Sequence, residues 1–245
     1  HILPSTLRLP SDITLAGEGL GTILQLDPNA TDREAIKNAE SDLRNITIRD
    51  LVIESALGLE PFANSRRSFN NIGRRGGIVF VSDSIDGMAH IKIQNVNIQN
   101  GVHHGLSICG ASEIEILNCN FSENGATMVP GVRLLHNIDI KHCKNIQIKD
   151  CRSVTSPQGS GIALTQVQQA LVSNCEIARN GYYGVLIAES TAVTLRGNMM
   201  EGNDRSAVML EFLVHGSADV TIEDNLIQYN NGDGISSYAS KNLKI

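Results

Sequence analysis

The sequence predicts an all-β chain wound into a single right-handed parallel β-helix of about eight or nine coils. Three observations lead there: a recurring strand phrase, a second phrase at a steady distance from it, and a composition poor in helix formers. Of 245 residues, 41% are apolar but only 4% aromatic, with 22 Gly and no Trp. The chain is rich in Ile, Val and Asn and lacks long Ala/Leu/Glu/Lys stretches, which excludes a helical bundle.

The first phrase is an apolar alternation, a two-residue gap, and a small or apolar residue that opens a second alternation. It runs through Ile91, Ile93, Val96 and Ile98, then Ile114, Ile116, Cys119 and Phe121, then Ile146, Ile148, Cys151 and Ser153. Ala170, Val193 and Val220 open three further copies, Ile46 an earlier one, and Ile13–Leu15 and Leu243–Ile245 are truncated ones. From Ile91 onward the copies begin 23, 32, 24, 23, 27 and 23 residues apart. A coil of that length cannot bury its apolar face alone, so neighbours must stack, about 4.8 Å apart, around one core.

The second phrase is a small residue followed by an alternating strand: Gly77-Ile78-Val79-Phe80, Gly105-Leu106-Ser107-Ile108, Gly131-Val132-Arg133-Leu134, Gly161-Ile162-Ala163-Leu164, Gly184-Val185-Leu186-Ile187, Ala207-Val208-Met209-Leu210 and Gly234-Ile235-Ser236-Ser237. Alternation sends Ile78/Phe80, Leu106/Ile108, Val132/Leu134 and their successors inward. The outward row is then Val79, Ser107, Arg133, Ala163, Leu186, Met209 and Ser236. Just before the strand comes a row with His104, Ser160, Tyr183 and Ser206, and before that one with Arg75, His103, Tyr182 and Arg205. Asn124, Asn180, Asn203 and Asn230 share a corner and read as a turn ladder; Cys119, Cys151 and Cys175 hold the slot that Asn198 and Asn225 occupy later, an internal small-residue ladder. His90, His142 and His215 fall at coil edges as surface residues.

Two stretches break the period. Residues 27–45 lengthen an early coil, and Thr31-x-x-Glu34 predicts a capping box on a short helix carrying Ala35, Ile36, Ala39 and Leu43. Residues 58–76 form a loop insertion with Arg66, Arg67, Arg74 and Arg75, as expected of a groove wall. Otherwise 1–245 reads as one domain, trimmed at both ends, since it starts on His1 and stops in mid-strand.

A net charge of −6 disfavours a nucleic-acid or anionic-membrane partner, and no apolar run is long enough for a membrane-spanning helix. Five Cys leave at least one thiol unpaired. No strand presents a dense carboxylate cluster, so no resident cofactor is expected and calcium has little to hold it.

Across essentially the whole chain the pattern resembles the pectin-lyase-like superfamily of β-helices, and Thr6–Gly19 is similar to the first coil of those proteins. His103-His104-Gly105-Leu106-Ser107-Ile108-Cys109-Gly110 resembles the Gly-His-Gly-Leu-Ser-Ile-Gly phrase of polygalacturonase-type glycoside hydrolases, and Gly131-Val132-Arg133-Leu134-Leu135 their Gly-Val-Arg-Ile-Lys phrase. The resemblance implies His104 and Arg133 as site residues on consecutive coils, and a secreted, periplasmic or cell-surface protein. That family's Asp-Asp pair is missing, because Arg75-Gly76 stands there; its Asn-Thr-Asp is absent and its Lys is Leu135.

A site with His, Arg and Tyr but no acid pair suits β-elimination on an extracellular uronate-containing polysaccharide. Arg133 would neutralise the sugar carboxylate, and His104 or His103 would remove the C5 proton. Arg75, Ser107, Tyr182, Tyr183, Arg205 and Asp83 would line the polymer. Glu189 and Glu211, stacked about 5 Å apart, or Asp83 and Asp86, keep a glycoside hydrolase open as an alternative. A non-catalytic glycan-binding or adhesion β-helix and a structural or phage-type stalk are the other readings of the same repeat.

Overall fold

Short strands, turned at corners made by single residues, build every coil of the computed structural model. It describes residues 1–245 except 28–29, 31, 33, 56–75 and 126–134. Arg66, Arg67, Arg74, Arg75, Arg133 and nearly all of the 58–76 insertion therefore lie outside the described residues.

Among the described residues all strand pairing is parallel and forms two sheets, of sixteen and nine strands. In the larger sheet Ile46, Ile91, Ile114, Ile146, Ala170, Val193 and Val220 stand side by side in register, as the period predicts. The nine-stranded sheet runs Leu7–Leu9, Glu34–Asn38, Gly76–Val81, Leu106–Cys109, Ile138–Lys141, Ile162–Thr165, Val185–Ala188, Val208–Glu211 and Ile235–Ser237. Between the sheets lies one continuous core of Ile, Leu and Val rows with Phe80 and Phe121 wholly buried. Each such aliphatic side chain contributes about 2 kcal/mol on leaving water, a gain available only when the neighbouring coil is present.

Corners are turned by residues in the left-handed region. One row is Asp12, Asn45, His90, Glu113, Asn145, Gln169, Ala192, Asp219 and Asn242, all with φ between 54° and 59°. A second is Asp50, Asn95, Asn118, Asp150 and Asn174, a third Asn100, Glu123, Thr155, Arg179 and Tyr229. Asn and Asp tolerate this conformation best, and their side chains bond up the stack: Asn118 donates to Asn95, and Asn95 to Asp50. The coil-edge histidines His90 and His142 are corner residues of this kind.

Inside, the asparagine ladder forms as predicted. Asn203 and Asn230 accept the backbone N–H groups of Asn180 and Asn203 and add amide-to-amide bonds of 2.9 and 2.8 Å. The cysteine row continues into Asn198, whose carbonyl accepts the Cys175 N–H, and all five cysteines are free thiols.

Two expectations are corrected. Residues 34–38 are a strand paired with Leu7–Leu9 and Gly76–Val79, and no described residue is helical. The capping-box pattern loses to burial: Ala35 and Ile36 are fully buried between the flanking coils. The second correction concerns register. The strand beside Leu106–Cys109 is Ile138–Lys141, not Gly131–Leu134. Ile138 and Ile140 take the inward places expected of Val132 and Leu134, and Asn137 stands where a small residue was expected. Asn fits there because the facing corner residue of the next coil is the short Ser156 rather than another Asn. Asn137 fills the gap, accepting from the Asn124 amide and backbone N–H and donating to Val154 O and Asn180 Oδ1.

Candidate functional site

The corrected register changes which residues share the outer face of the nine-stranded sheet. Its outward row runs Lys37, Val79, Ser107, Asp139, Ala163, Leu186, Met209 and Ser236. Asp139 thus holds the place beside Ser107 that the sequence assigned to Arg133. The row at the strand starts is Gly76, His104, His136, Ser160, Tyr183 and Ser206, traced by the bonds Gly77 N–H to His104 O, Gly105 N–H to His136 O, Asn137 N–H to Ser160 O and Gly161 N–H to Tyr183 O.

Four of these residues meet. The imidazoles of His104 and His136 lie one coil apart with centroids 5.5 Å from each other, and His103 packs edge-on against His104 at 4.6 Å. His104 Nε2 is 3.6 Å from Asp139 Oδ2, and the Ser107 hydroxyl donates to the same oxygen at 3.3 Å. Both inner rings are buried. Burial, followed by the charge of His103, lowers the His104 pKa to about 3; burial, followed by the charge of His104, does the same for His136. The Asp139 carboxyl moves the other way. Burial raises its pKa, opposed by His136, the Ser107 hydroxyl, Lys141 and His103. Its side chain still keeps 21% of its surface open, so a ligand can reach it.

Tyr182 and Tyr183 sit three coils beyond His103 and His104, about 14 Å away. Their rings are 4.2 Å apart, and the Arg205 guanidinium lies 5.8 Å over the Tyr182 ring. Tyr183 packs on Ala163, Leu186 and Met209 of the outward row, with Tyr182 against the same cluster. His103, His104 and Ser107 are therefore grouped, Tyr182, Tyr183 and Arg205 form a second group, and Asp83 is an exposed residue after its strand. Arg75 and Arg133 fall outside the described residues.

Of the carboxylates that kept a hydrolase open, Glu189 and Glu211 are offset by one position in the stack. Glu211 stands beside Ala188, while Glu189 turns a corner with φ 50° and accepts the backbone N–H groups of Val214 and His215. Those two bonds, His215 first, hold its carboxyl below the usual range. Asp86 is paired with Lys144 at 2.7 Å. A recess of about 340 Å³ on the other sheet, lined by Asn45, His90, Lys92, Glu113, Glu115 and Asn145, contains none of the expected site residues. Among the described residues no three His, Cys, Asp or Glu side chains are grouped to hold a metal ion.

Sequence reasoning missed His136 and Asp139. An available signal was the interval between the small residue and the next first phrase: nine residues for Gly105 to Ile114, Gly161 to Ala170 and Gly184 to Val193, and also for Asn137 to Ile146.

Known proteins share the architecture. No curated protein sequence matches the chain. The family of right-handed β-helix regions matches residues 133–245. The periplasmic alginate epimerase AlgG aligns with TM-score 0.62 at 11% identity, over 91% of this chain and 49% of its own. PfbA, a surface adhesin of Streptococcus pneumoniae, aligns with TM-score 0.62 at 14% identity, over 99% of this chain and 74% of its own. Gene product 12 of bacteriophage phi29 gives TM-score 0.68 at 15% identity, over 97% and 37%. This chain thus spans about half the length of the epimerase. An enzyme, an adhesin and a phage protein on one architecture establish the fold and leave activity to the site. On fold and match together the chain is a right-handed parallel β-helix, and its residues 133–245 match the family of right-handed β-helix regions.

Proposed function

We propose that this protein acts on an extracellular uronate-containing polysaccharide by removing the proton beside the sugar carboxylate, with β-elimination of the 4-linked sugar as the outcome. The observation that carries it is the grouping of His103, His104, Ser107, His136 and Asp139 on one open face. A carboxyl of raised pKa beside neutral imidazoles is equipped for proton transfer. Of the carboxylates that glycoside hydrolysis would draw on, Glu189 is engaged by the Val214 and His215 N–H groups and Asp86 by Lys144, which favours proton removal over hydrolysis. A polymer laid along the coils from the histidines would reach Tyr182 and Arg205, an aromatic face for a sugar ring with a cation for its carboxylate. Arg133 remains the expected partner of the reacting carboxylate, and Arg75 and Asp83 expected lining residues. The alginate epimerase among the structural neighbours is consistent with uronate chemistry outside the cytoplasm.

The test is a screen on polygalacturonate, pectin, alginate and glycosaminoglycans. It is read for unsaturated-uronate absorbance, for reducing ends, and by NMR for inverted uronate residues. Absorbance that vanishes in Asp139→Asn supports elimination at this site. Inversion without absorbance moves the reaction to epimerisation by the same proton removal, and reducing ends alone sink both. The Tyr182–Arg205 pair favours a second reading, glycan binding without turnover, which predicts affinity for one of these polymers with all three channels silent.

A further inference from the structure

Two hydrogen bonds decide what the buried histidines can do. The His136 backbone N–H donates to His104 Nδ1 at 2.9 Å, and the Ser160 backbone N–H donates to His136 Nδ1 at 3.0 Å. A backbone amide can only donate, so both Nδ1 atoms carry lone pairs, and the single proton of each neutral ring sits on Nε2. Each coil thereby sets the tautomer of the histidine on the coil before it.

We propose that Asp139 moves the proton and that His104 and His136 are positioning residues, fixed as Nε2–H tautomers, that hold and polarise its carboxyl. For its chemistry the proposal rests on the elimination reading above; the tautomers rest on the hydrogen bonds alone. A neutral imidazole whose one lone pair is engaged by a backbone N–H has no site for a substrate proton, which removes His104 from the role of base. Its Nε2 proton instead faces Asp139 Oδ2 at 3.6 Å, an electrostatic contact rather than a full hydrogen bond. The Ser107 hydroxyl already donates to that oxygen. The groups facing the carboxyl are His103, His104, Ser107 and Cys109 from the preceding coil, His136 and Lys141 from its own, and the apolar Ala163 from the next. Burial leaves Asp139 more basic than an ordinary carboxylate, while two neutral donors stabilise its charged form without adding a competing acid.

In the reaction the Asp139 carboxylate takes the C5 proton of the uronate. The C–H electron pair forms the C4–C5 double bond, the C4–O bond breaks with its electrons on the departing oxygen, and that oxygen receives the proton back from Asp139. The carboxylate is regenerated, and neither histidine changes charge.

The experiment joins ¹⁵N spectra of the histidine side chains with ¹³C titration of the aspartate carboxyls in the whole protein, alongside kinetics of variants. Both rings are expected to be protonated on Nε2 only and unchanged from pH 8 to pH 5, with Asp139 titrating above the usual carboxylate range. On the polymer found by the screen, Asp139→Asn is expected to lose at least about 100-fold in kcat. His104→Gln, which keeps a side-chain N–H donor, should stay within about tenfold of wild type, while His104→Phe falls further and moves the acidic limb of the pH–rate profile. A ring protonated on Nδ1, a ring titrating near 6.5, or an active Asp139→Asn overturns the proposal. If no polymer reacts while both rings stay Nε2–H and Asp139 titrates high, the elimination reading falls and the hydrogen-bonded arrangement stands. If a polymer reacts and a ring titrates near 6.5, the reverse holds.

Discussion

The outward row of the nine-stranded sheet divides into two halves with the same backbone and opposite character. In one, Ser107 and Asp139 are polar and partly open; in the other, Ala163, Leu186 and Met209 keep only 1%, 4% and 3% of their surface. An outer row of a solenoid normally meets water. The difference is made by the residues at the strand starts. His104 sets its Nε2 beside the first half, with the His136 ring next to it, whereas Tyr183 folds its ring onto the second. The row at the strand start, more than the strand itself, therefore sets what kind of surface a coil offers.

A charge in the apolar half should break the contrast most severely. Met209→Asp buries a carboxylate with no partner and is expected to destabilise by about 4 kcal/mol, read as a loss of Tm in thermal unfolding. Acid should act on the polar half. Unfolded histidines bind protons below about pH 6.5, whereas folded His104 and His136 resist to about pH 3, so stability present at neutral pH is lost as pH falls. The expected loss is about 2 kcal/mol per imidazole between pH 7 and pH 5, and His104→Phe or His136→Phe should flatten the dependence in denaturant titrations. Beneath both halves, Asn180→Ala orphans the Ser156 N–H and one N–H of the Asn137 amide; about 2 kcal/mol lost in urea unfolding is expected. Arg205→Ala should cost least, about 0.5 kcal/mol, because its contact with Tyr182 is exposed. A large drop in glycan affinity at unchanged Tm would assign that pair to binding rather than to the fold.

Most of the architecture is legible in the sequence because it is periodic. Ile91, Ile114 and Ile146 repeat a pattern that one coil cannot satisfy alone, and the asparagine ladder follows from equal corner positions. The site was only half legible. His103, His104 and Ser107 lie in a regular coil, so their placement together could be read from the spacing. His136 and Asp139 lie in the coil of 32 residues, where Gly131-Val132-Arg133-Leu134 satisfies the strand phrase by local pattern alone. What selects 138–141 instead is a long-range fit: the Asn137 side chain needs the space left by Ser156, nineteen residues later. The short helix expected near Thr31 failed for a related reason, since a local capping signal cannot outweigh two flanking strands.

The exchange of roles between Asn137 and Ser156 also carries an evolutionary consequence. In three other coils the pairing is glycine on the strand with asparagine on the following corner (Gly105 with Asn124, Gly161 with Asn180, Gly184 with Asn203), and a Cβ at Gly105 would come within 2.7 Å of the Asn124 amide. Here the same two slots hold asparagine on the strand and serine on the corner, one amide in either case. The two slots are coupled, because an amide on one of them leaves room only for a small residue on the other. Homologous coils should therefore covary at these positions, and a coil that rewrites both at once can accept inserted sequence while its neighbours stay in phase.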